Sequence, residues 1–316
     1  MRAMVIKSFG GTDVFEAREL PPPQPGVGEV LVRVKASGTN PVDAKLRASG
    51  SWARLTPPVV LGYDAAGVIE ELGAGVADFK VGDEVFYTPE IFGNPLGTYA
   101  ELNVVPARIV ARKPSNLDFV AAAAVPLAGG TAYEAIVRRL QVAPGETVLI
   151  HGGAGGVGSF AIQIARAAGA RVLATAGSDN QTTLRELGAD VALDYKRDDV
   201  AARALAETGG RGVDAVFDCV GGELVAQSVA ATRSGGRLAS ILTPRGDLGS
   251  FSPKNLTLHG VFLIRERARL ELLASLLERK LVTPLVDQVL PLAEVARAHQ
   301  RLDSGHGRGK VVLTVG

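Results

Sequence analysis

A chain of 316 residues is long enough for about two domains, each able to bury its own core. Basic and acidic residues balance at 34 against 33 with no run of one sign, which argues against a nucleic-acid or anionic-membrane partner. The single cysteine, Cys219, excludes an internal disulfide and, with no C-x-x-C pair, favours a reducing, cytoplasmic compartment. Within residues 216–220 it reads as a small buried apolar residue.

The opening MRAMVIKSFGG has too short an apolar stretch for a signal peptide, and the most apolar long segment, 119–133, is interrupted by Pro126, Gly129 and Gly130. The first third is β-rich: strands are predicted at 2–7, at 29–35 with the alternation Val30, Val32, Val34, at 65–72 and at 97–105. Proline and glycine clusters at 21–28 and 73–75 separate them, as in a compact, mostly antiparallel β domain. From Asp118 the pattern changes. Helices are predicted at 120–124 and 131–140, then strands at 147–150, 171–176, 191–194, 215–219, 237–242 and 259–264, with helices between most of them, notably 159–168, 182–187 and 200–207. Strands alternating with helices imply an α/β, doubly wound parallel sheet. Residues 267–280 form an amphipathic helix with Leu270, Leu273, Leu276 and Leu277 at helical spacing, and β character returns at 288–291 and 310–315. Those last strands suit the first domain. The expected division is therefore 1–120 with 266–316 around an inserted 121–265, with a cleft between domains as the expected ligand site.

The sequence is organised around ETVLIHGGAGGVG, residues 146–158. Gly153, Gly155 and Gly158 fit G-x-G-x-x-G between a predicted strand and a predicted helix. Glycine is required where the chain turns sharply, where backbone approaches a pyrophosphate and where helix packs close on strand. The N–H groups opening the helix, at Gly156, Val157 and Gly158, would then face the phosphates of a dinucleotide. A glycine-rich turn that merely packs two elements is the plain alternative.

The ordered set VLGYDAAGVIEELGAGVADFKVGDEV (60–85), GTYAEL (97–102), PLAGGTAYEAI (126–136), HGGAGGVG (151–158) and RGKVVL (308–313) resembles the medium-chain dehydrogenase/reductase superfamily across essentially the whole chain. Within it, the lack of zinc ligands and the segment NPVDAKLR (40–47) are similar to the zinc-independent quinone oxidoreductase branch, with its enone and alkenal reductases. The resemblance implies a GroES-like β-rich catalytic domain, a Rossmann domain that usually takes NADPH, and often a homodimer formed through the cofactor domain.

One cysteine and four scattered histidines are a poor inventory for a tetrahedral zinc site, and where zinc members carry Gly-His-Glu this chain reads Gly62-Tyr63-Asp64. No metal is expected. His151 and His306 read as polar loop residues, and no Gly-x-Ser-x-Gly elbow points to a serine nucleophile. Where an NAD site places an acid, about 20 residues past the glycines, the chain has Gly177, with Asp179 just beyond in the predicted loop. Ser178 can donate to a 2′-phosphate, and Tyr195 with Lys196 can add a phenol and a cation, so NADPH is expected over NADH. By resemblance, a tyrosine at Tyr195 contacts the adenosine phosphate; the alternative is a strand-end aromatic.

A nicotinamide without metal or flavin passes hydride. Addition to the β-carbon of an α,β-unsaturated carbonyl or a quinone puts negative charge on oxygen, where the protein must supply donors and then a proton. Asn40 offers an amide, Lys45 a charge and Tyr63 a phenol, while Asp43 would orient a lysine or the nicotinamide ribose. By resemblance, Asp43 and Lys45 face the nicotinamide. Competing structural roles stand beside these: Asn40–Pro41 as the cap of a short helix, Asp43 paired with Arg47, Tyr63 as a core aromatic. Asp64 is left out, since a carboxylate would oppose enolate charge. Thr131 either reaches the cofactor or is an ordinary residue of a helix start. The expected activity is NADPH-dependent reduction of a small quinone or enone. The alternatives are a zinc-free alcohol or aldehyde dehydrogenase and a nonenzymatic NADPH-binding sensor or RNA-binding protein.

Overall fold

The computed structural model describes all 316 residues, which divide into two compact units. The first comprises Met1–Ala128, Ile264–Arg279 and Pro284–Gly316; the second comprises Gly129–Leu263 and Lys280–Thr283.

The first unit is built on a seven-stranded sheet in the order Val286–Pro291, Lys310–Thr314, Glu29–Gly38, Ala65–Leu72, Glu84–Tyr87 and Val110–Arg112, with Leu102–Pro106 also paired to Glu29–Gly38. All pairings are antiparallel except that of Val286–Pro291 with Lys310–Thr314, so the C-terminal strands join the N-terminal ones in one sheet. The alternation at Val30, Val32 and Val34 buries all three. Gly67 is required by close approach, since a Cβ there would lie 2.2 Å from the Arg33 carbonyl oxygen on the paired strand. A second sheet of Phe15–Glu19, Arg2–Ile6 and Val59–Val60 packs over a core that includes Ile6, Leu46, Leu61, Tyr99 and Val295. Helix Pro41–Ser49 starts where the sequence allows it, after an extended Asn40 (φ −139°, ψ 152°) and with proline in its first position.

The second unit is a six-stranded, all-parallel sheet in the order Val191–Asp194, Arg171–Ala176, Thr147–His151, Val213–Asp218, Thr232–Ser240 and Thr257–Gly260. Numbered along the chain this is 3-2-1-4-5-6, the doubly wound Rossmann order. The central strand Thr147–His151 is buried at every residue, as a parallel strand covered on both faces must be. Helix Gly156–Ala167 lays Phe160, Ala161 and Ile164 into the core.

Several boundaries differ from the sequence reading. The helix after the glycine turn begins at Gly156, not 159, because the turn itself supplies its first residues. The predicted strand at 97–105 is a strand only from Leu102; before it, Thr98 and Tyr99 donate backbone N–H groups to Gly62 and Leu61. The last strand stops at Gly260, leaving Phe262 and Ile264 exposed beyond it. Helix Pro126–Tyr133 runs on into a π-helical turn at Glu134–Arg139, so Thr131 lies inside a helix and not at its start. His151 is not a polar loop residue: it ends the central strand, buried.

Phe217 is wholly buried on Val213–Asp218 beside the central strand, so truncating its ring would leave a cavity in the core. Phe217→Ala is expected to lower unfolding stability by about 3–5 kcal/mol in urea titrations.

Candidate active site

In the second unit the turn Gly152–Gly155 joins the central strand to helix Gly156–Ala167. Gly152 sits at φ +71°, a region disfavoured for other residues. A Cβ on Gly153 would fall 2.8 Å from Leu184 Cδ2, and one on Gly158 would fall 2.2 Å from the Gly152 carbonyl oxygen, so helix and turn meet through glycine alone. The helix cap, Gly155, has no side chain to accept a hydrogen bond from the first turn. The N–H groups of Gly156, Val157 and Gly158 have no acceptor within the helix, and the helix dipole places positive potential there. This cradle fits a diphosphate. His151 steadies it from below: its Nε2–H donates to Ser228 Oγ at 2.8 Å, while Nδ1 faces Thr175 Oγ at 3.4 Å, and Thr175 Oγ accepts from the Gly152 N–H.

At the end of strand Arg171–Ala176, Gly177 leaves room that two side chains approach. A Cβ there would lie 3.7 Å from Lys196 Cε, 3.8 Å from Tyr195 Oη and 3.9 Å from Lys196 Nζ. Tyr195 is 54% exposed, so it does not cap the sheet. Ser178 donates to Asp194 Oδ2 at 2.5 Å, so its hydroxyl hydrogen is committed within the protein, and that bond holds the Asp194 carboxyl below its ordinary value. Asp179 sits exposed in a 3₁₀ turn past the strand.

The first unit holds a buried polar cluster. Lys310 Nζ donates to the Thr39 carbonyl at 2.8 Å, to Asn40 Oδ1 and to Asp64 Oδ2 at 3.1 Å. Asn40 Nδ2 donates to Asp64 Oδ2 at 2.9 Å, and the Leu127 N–H donates to Asp64 Oδ1 at 2.7 Å. Burial raises the Asp64 carboxyl, and Lys310 and Asn40 pull it back. One turn into helix Pro41–Ser49, Asp43 Oδ2 accepts from the Asn40 N–H at 2.8 Å and from the Tyr99 hydroxyl at 2.7 Å. Tyr99 Oη in turn faces His299 Nε2 at 3.2 Å, and Arg47 donates to His299 Nδ1 at 3.3 Å, which puts the imidazole proton on Nε2. Arg47 also grips Asp303 through both carboxylate oxygens, at 3.0 and 2.9 Å. The predicted Asp43–Arg47 pair is therefore absent, because Tyr99 and Asp303 lie closer to each partner.

Asp43 Oδ1 and the Tyr63 hydroxyl are buried without a hydrogen-bond partner. Burial pushes the Asp43 carboxyl up to about 7, against the pull of Tyr99, the Asn40 N–H and Lys310. It also drives the Tyr63 phenol upward, helped by Asp43, so Tyr63 stays a donor. Among the sequence candidates, Asn40, Asp43 and Tyr63 belong to the same unit, whereas Lys45 is exposed on the outer side of the helix that buries Asp43.

Two family models match the chain, an alcohol dehydrogenase GroES-like domain over residues 26–115 and a zinc-binding dehydrogenase over 187–313. An NADPH-dependent alkenal/one oxidoreductase of Arabidopsis thaliana, described as chloroplastic, is 34% identical over 324 residues, covering 99% of this chain and 79% of its own. A quinone oxidoreductase of Pseudomonas aeruginosa is 34% identical over 320 residues, covering 97% of each. The solved structure of an NAD-dependent alcohol dehydrogenase superposes with a TM-score of 0.94 at 36% identity, over the full length of both. The chain belongs to the medium-chain dehydrogenase/reductase superfamily, in its quinone oxidoreductase branch.

The second family model's description implies zinc, and the residues of this quinone oxidoreductase-branch chain do not fit it. No three His, Cys, Asp or Glu side chains converge, and Asp64 already faces the fixed ammonium of Lys310, which would repel a metal cation. No helix is long and apolar enough to cross a membrane. Sequence reasoning missed Asp64, Tyr99, His299 and Lys310 as members of the cluster. Two had a visible signal: Asp64 is a lone carboxylate inside the apolar run 59–69, and Lys310 opens the apolar strand 310–314.

Removing one partner of a buried pair leaves the other charge bare. Lys310→Met should therefore cost about 3–5 kcal/mol in denaturant titration, much of it recovered when Asp64→Asn is added. Burial and Arg47 hold His299 down to about 3, and burial holds His151 down to about 4, against an ordinary value of 6.5. Below pH 6.5 the unfolded chain takes up protons that these folded-state histidines refuse, so their contribution to stability is lost as pH falls from 6.5 toward 4. His299→Gln should flatten that acid limb by one proton, about 1.4 kcal/mol per pH unit, in urea titrations across the range.

Proposed function

We propose that the chain is an NADPH-dependent reductase of quinones and α,β-unsaturated carbonyls that works without a metal. The observation that carries this reading is the glycine cradle: Gly153 and Gly158 admit no Cβ, and the helix they open has no side-chain cap. The relatives named for quinone and alkenal reduction support the substrate class.

The turn Gly153–Gly158 would hold the diphosphate on the N–H groups of Gly156, Val157 and Gly158, with Thr131 as a further contact. Tyr195 and Lys196 would hold the 2′-phosphate beside Gly177, with Ser178 ordering the Asp194 end through its own hydrogen bond. Reduced nicotinamide, when bound, supplies a hydride. The protein's task is to meet the negative charge that grows on the substrate oxygen, and the buried Tyr63 O–H has no competing acceptor. Asn40 acts indirectly, by locking Lys310 against Asp64 so that neither charge is loose beneath the reacting oxygen. Lys45, on the exposed side, would contribute at most long-range positive potential. A homodimer joined along the Thr257–Gly260 edge strand is part of the same reading, and sedimentation tests it.

Purified protein mixed with NADPH and a panel of quinones and enones should consume the reduced-nicotinamide absorbance. Oxidation of simple alcohols with NAD, without that consumption, would favour an alcohol dehydrogenase instead. Lys196→Ala should raise the KM for NADPH about 10- to 100-fold, the worth of one charge-assisted hydrogen bond, and leave that for NADH nearly unchanged.

A further inference from the structure

Strands Arg171–Ala176 and Val191–Asp194 pair in parallel with Ala176 opposite Asp194, so Gly177–Ser178 and Tyr195–Lys196 leave the sheet side by side. Past that point the chain is bonded closely to itself. The Asp194 N–H donates to Asp198 Oδ2 at 2.8 Å, and the Arg197 and Asp198 N–H groups donate to the Asp194 carbonyl at 2.9 and 2.8 Å. Gln181 Nε2 lies 3.0 to 3.3 Å from the carbonyls of Ala176, Gly177 and Leu193, which ties the two strand ends together. The Asp194 carboxylate divides its oxygens: Oδ1 accepts from the Lys196 N–H at 3.0 Å and Oδ2 from the Ser178 hydroxyl at 2.5 Å. Two side-chain heads are left over. The Tyr195 hydroxyl and the Lys196 ammonium make no hydrogen bond or ion pair within the protein, and they lie 3.8 and 3.9 Å from one point, the place a Cβ on Gly177 would take.

A carboxylate beside two free donors is out of place if those donors await an anion. On charge alone it would repel the anion or capture the ammonium. Resting on the NADPH reading above, we infer that Asp194 is the positioning residue of the 2′-phosphate clamp. By accepting from the Lys196 N–H and the Ser178 hydroxyl it fixes the Tyr195–Lys196 turn over Gly177 and leaves the ammonium and the phenol to the phosphate. Ser178 acts through Asp194 and is not a phosphate ligand, because its one hydroxyl hydrogen is already used.

The charge of Asp194 is spent inside the protein. The Ser178 hydroxyl does most to hold the carboxyl below its ordinary value, and the Lys196 N–H and the Arg197 guanidinium, 3.6 Å away, add to it against burial. With both oxygens engaged, Asp194 has little left to offer the Lys196 ammonium. Nor is it free to take a ribose hydroxyl, the bond by which an acid near this position selects NADH. A ligand with a 2′-hydroxyl instead of the phosphate brings no charge to the ammonium, so it is indifferent to how well the clamp is aligned. Alignment by Asp194 is therefore felt by one ligand and not by the other.

Calorimetric titration of the full chain with 2′,5′-ADP and with 5′-AMP, which differ only in the 2′-phosphate, tests this without turnover. The wild type should prefer 2′,5′-ADP by about 10-fold or more. Asp194→Ala and Asp194→Asn remove the same charge, but only asparagine keeps an acceptor for the Lys196 N–H. Asp194→Ala should weaken 2′,5′-ADP about 10-fold and leave 5′-AMP within about twofold, whereas Asp194→Asn should bind 2′,5′-ADP at least as tightly as the wild type. Ser178→Ala should weaken 2′,5′-ADP as well, because the freed Oδ2 turns to the Lys196 ammonium. Adding Asp194→Asn should restore it, which the loss of a direct phosphate ligand would not allow. An Asp194→Ala that binds like the wild type, an Asp194→Asn as weak as Asp194→Ala, or a loss shared by 5′-AMP overturns the inference alone. So does a Ser178→Ala that loses nothing, or whose loss survives Asp194→Asn; this pair decides if Asp194→Ala does not fold. A wild type that binds 2′,5′-ADP no better than 5′-AMP overturns the NADPH reading itself.

Discussion

A lysine ammonium sealed beneath the first unit's polar cluster, with all three of its hydrogens directed at protein oxygens, is the constraint from which much of that unit follows. Lys310 reaches Thr39, Asn40 and Asp64, and Asp64 reaches on to the Leu127 N–H. Four stretches far apart in sequence meet there: the end of a long strand, the glycine turn at 62–64, the start of a helix near 126 and the C-terminal strand. Burying two charges yields little net stability, because their desolvation offsets their attraction. What the pair imposes is register. Because side chains alternate with a period of two, a slip of one residue along Lys310–Thr314 would turn the ammonium to the opposite face, away from Asp64, and leave both charges bare.

That register orders the rest of the cluster. With Lys310 on Asn40 Oδ1 and Asp64 on Asn40 Nδ2, the Asn40 side chain is fixed at both ends, and its backbone N–H lies on Asp43. Asn40 thus joins a charged pair that is internally balanced to a carboxyl that is not. Gly62, at φ +103°, lets the Tyr99 ring lie across the turn, where a Cβ would come within 2.5 Å of it, and so brings the Tyr99 hydroxyl to Asp43. The helix Val295–Asp303 contributes His299 from its buried face and Asp303 from its end. The carboxyl at position 43 is raised and the one at 194 lowered by the same rules: desolvation dominates in the first case, a short hydroxyl bond in the second.

How legible each part was depends on how far apart its determinants lie. The glycine turn was readable because much of its geometry is set within a few residues: Gly155 and Gly158 answer to atoms of the same strand–turn–helix unit, and Gly153 to Ile162 of that unit and to Ala174 and Leu184 on the next strand and helix. The parallel sheet was readable because covered strands are apolar throughout, and Arg171–Ala176, Val191–Asp194 and helix Val200–Glu207 fall where periodicity puts them. The segment 97–105 misled because its first residues alternate like a strand yet bond back to Leu61 and Gly62. Residues 262–264 misled because apolar character persists after the last ladder bond, from the Val261 N–H to the Ser240 carbonyl.

The sequence alone determined the doubly wound sheet, the glycine turn between its first strand and helix, and Asn40, Asp43 and Tyr63 as candidates, because each is written in spacing and residue type over short windows. It did not determine which of those residues is free. Only the tertiary structure committed the hydroxyl of Ser178 to Asp194, turned Lys45 outward, gave Arg47 to Asp303 and left Tyr63 and one oxygen of Asp43 without partners. The reason is physical: a hydrogen bond depends on what arrives opposite a group, and in this chain the arriving groups come from as far as 272 residues away.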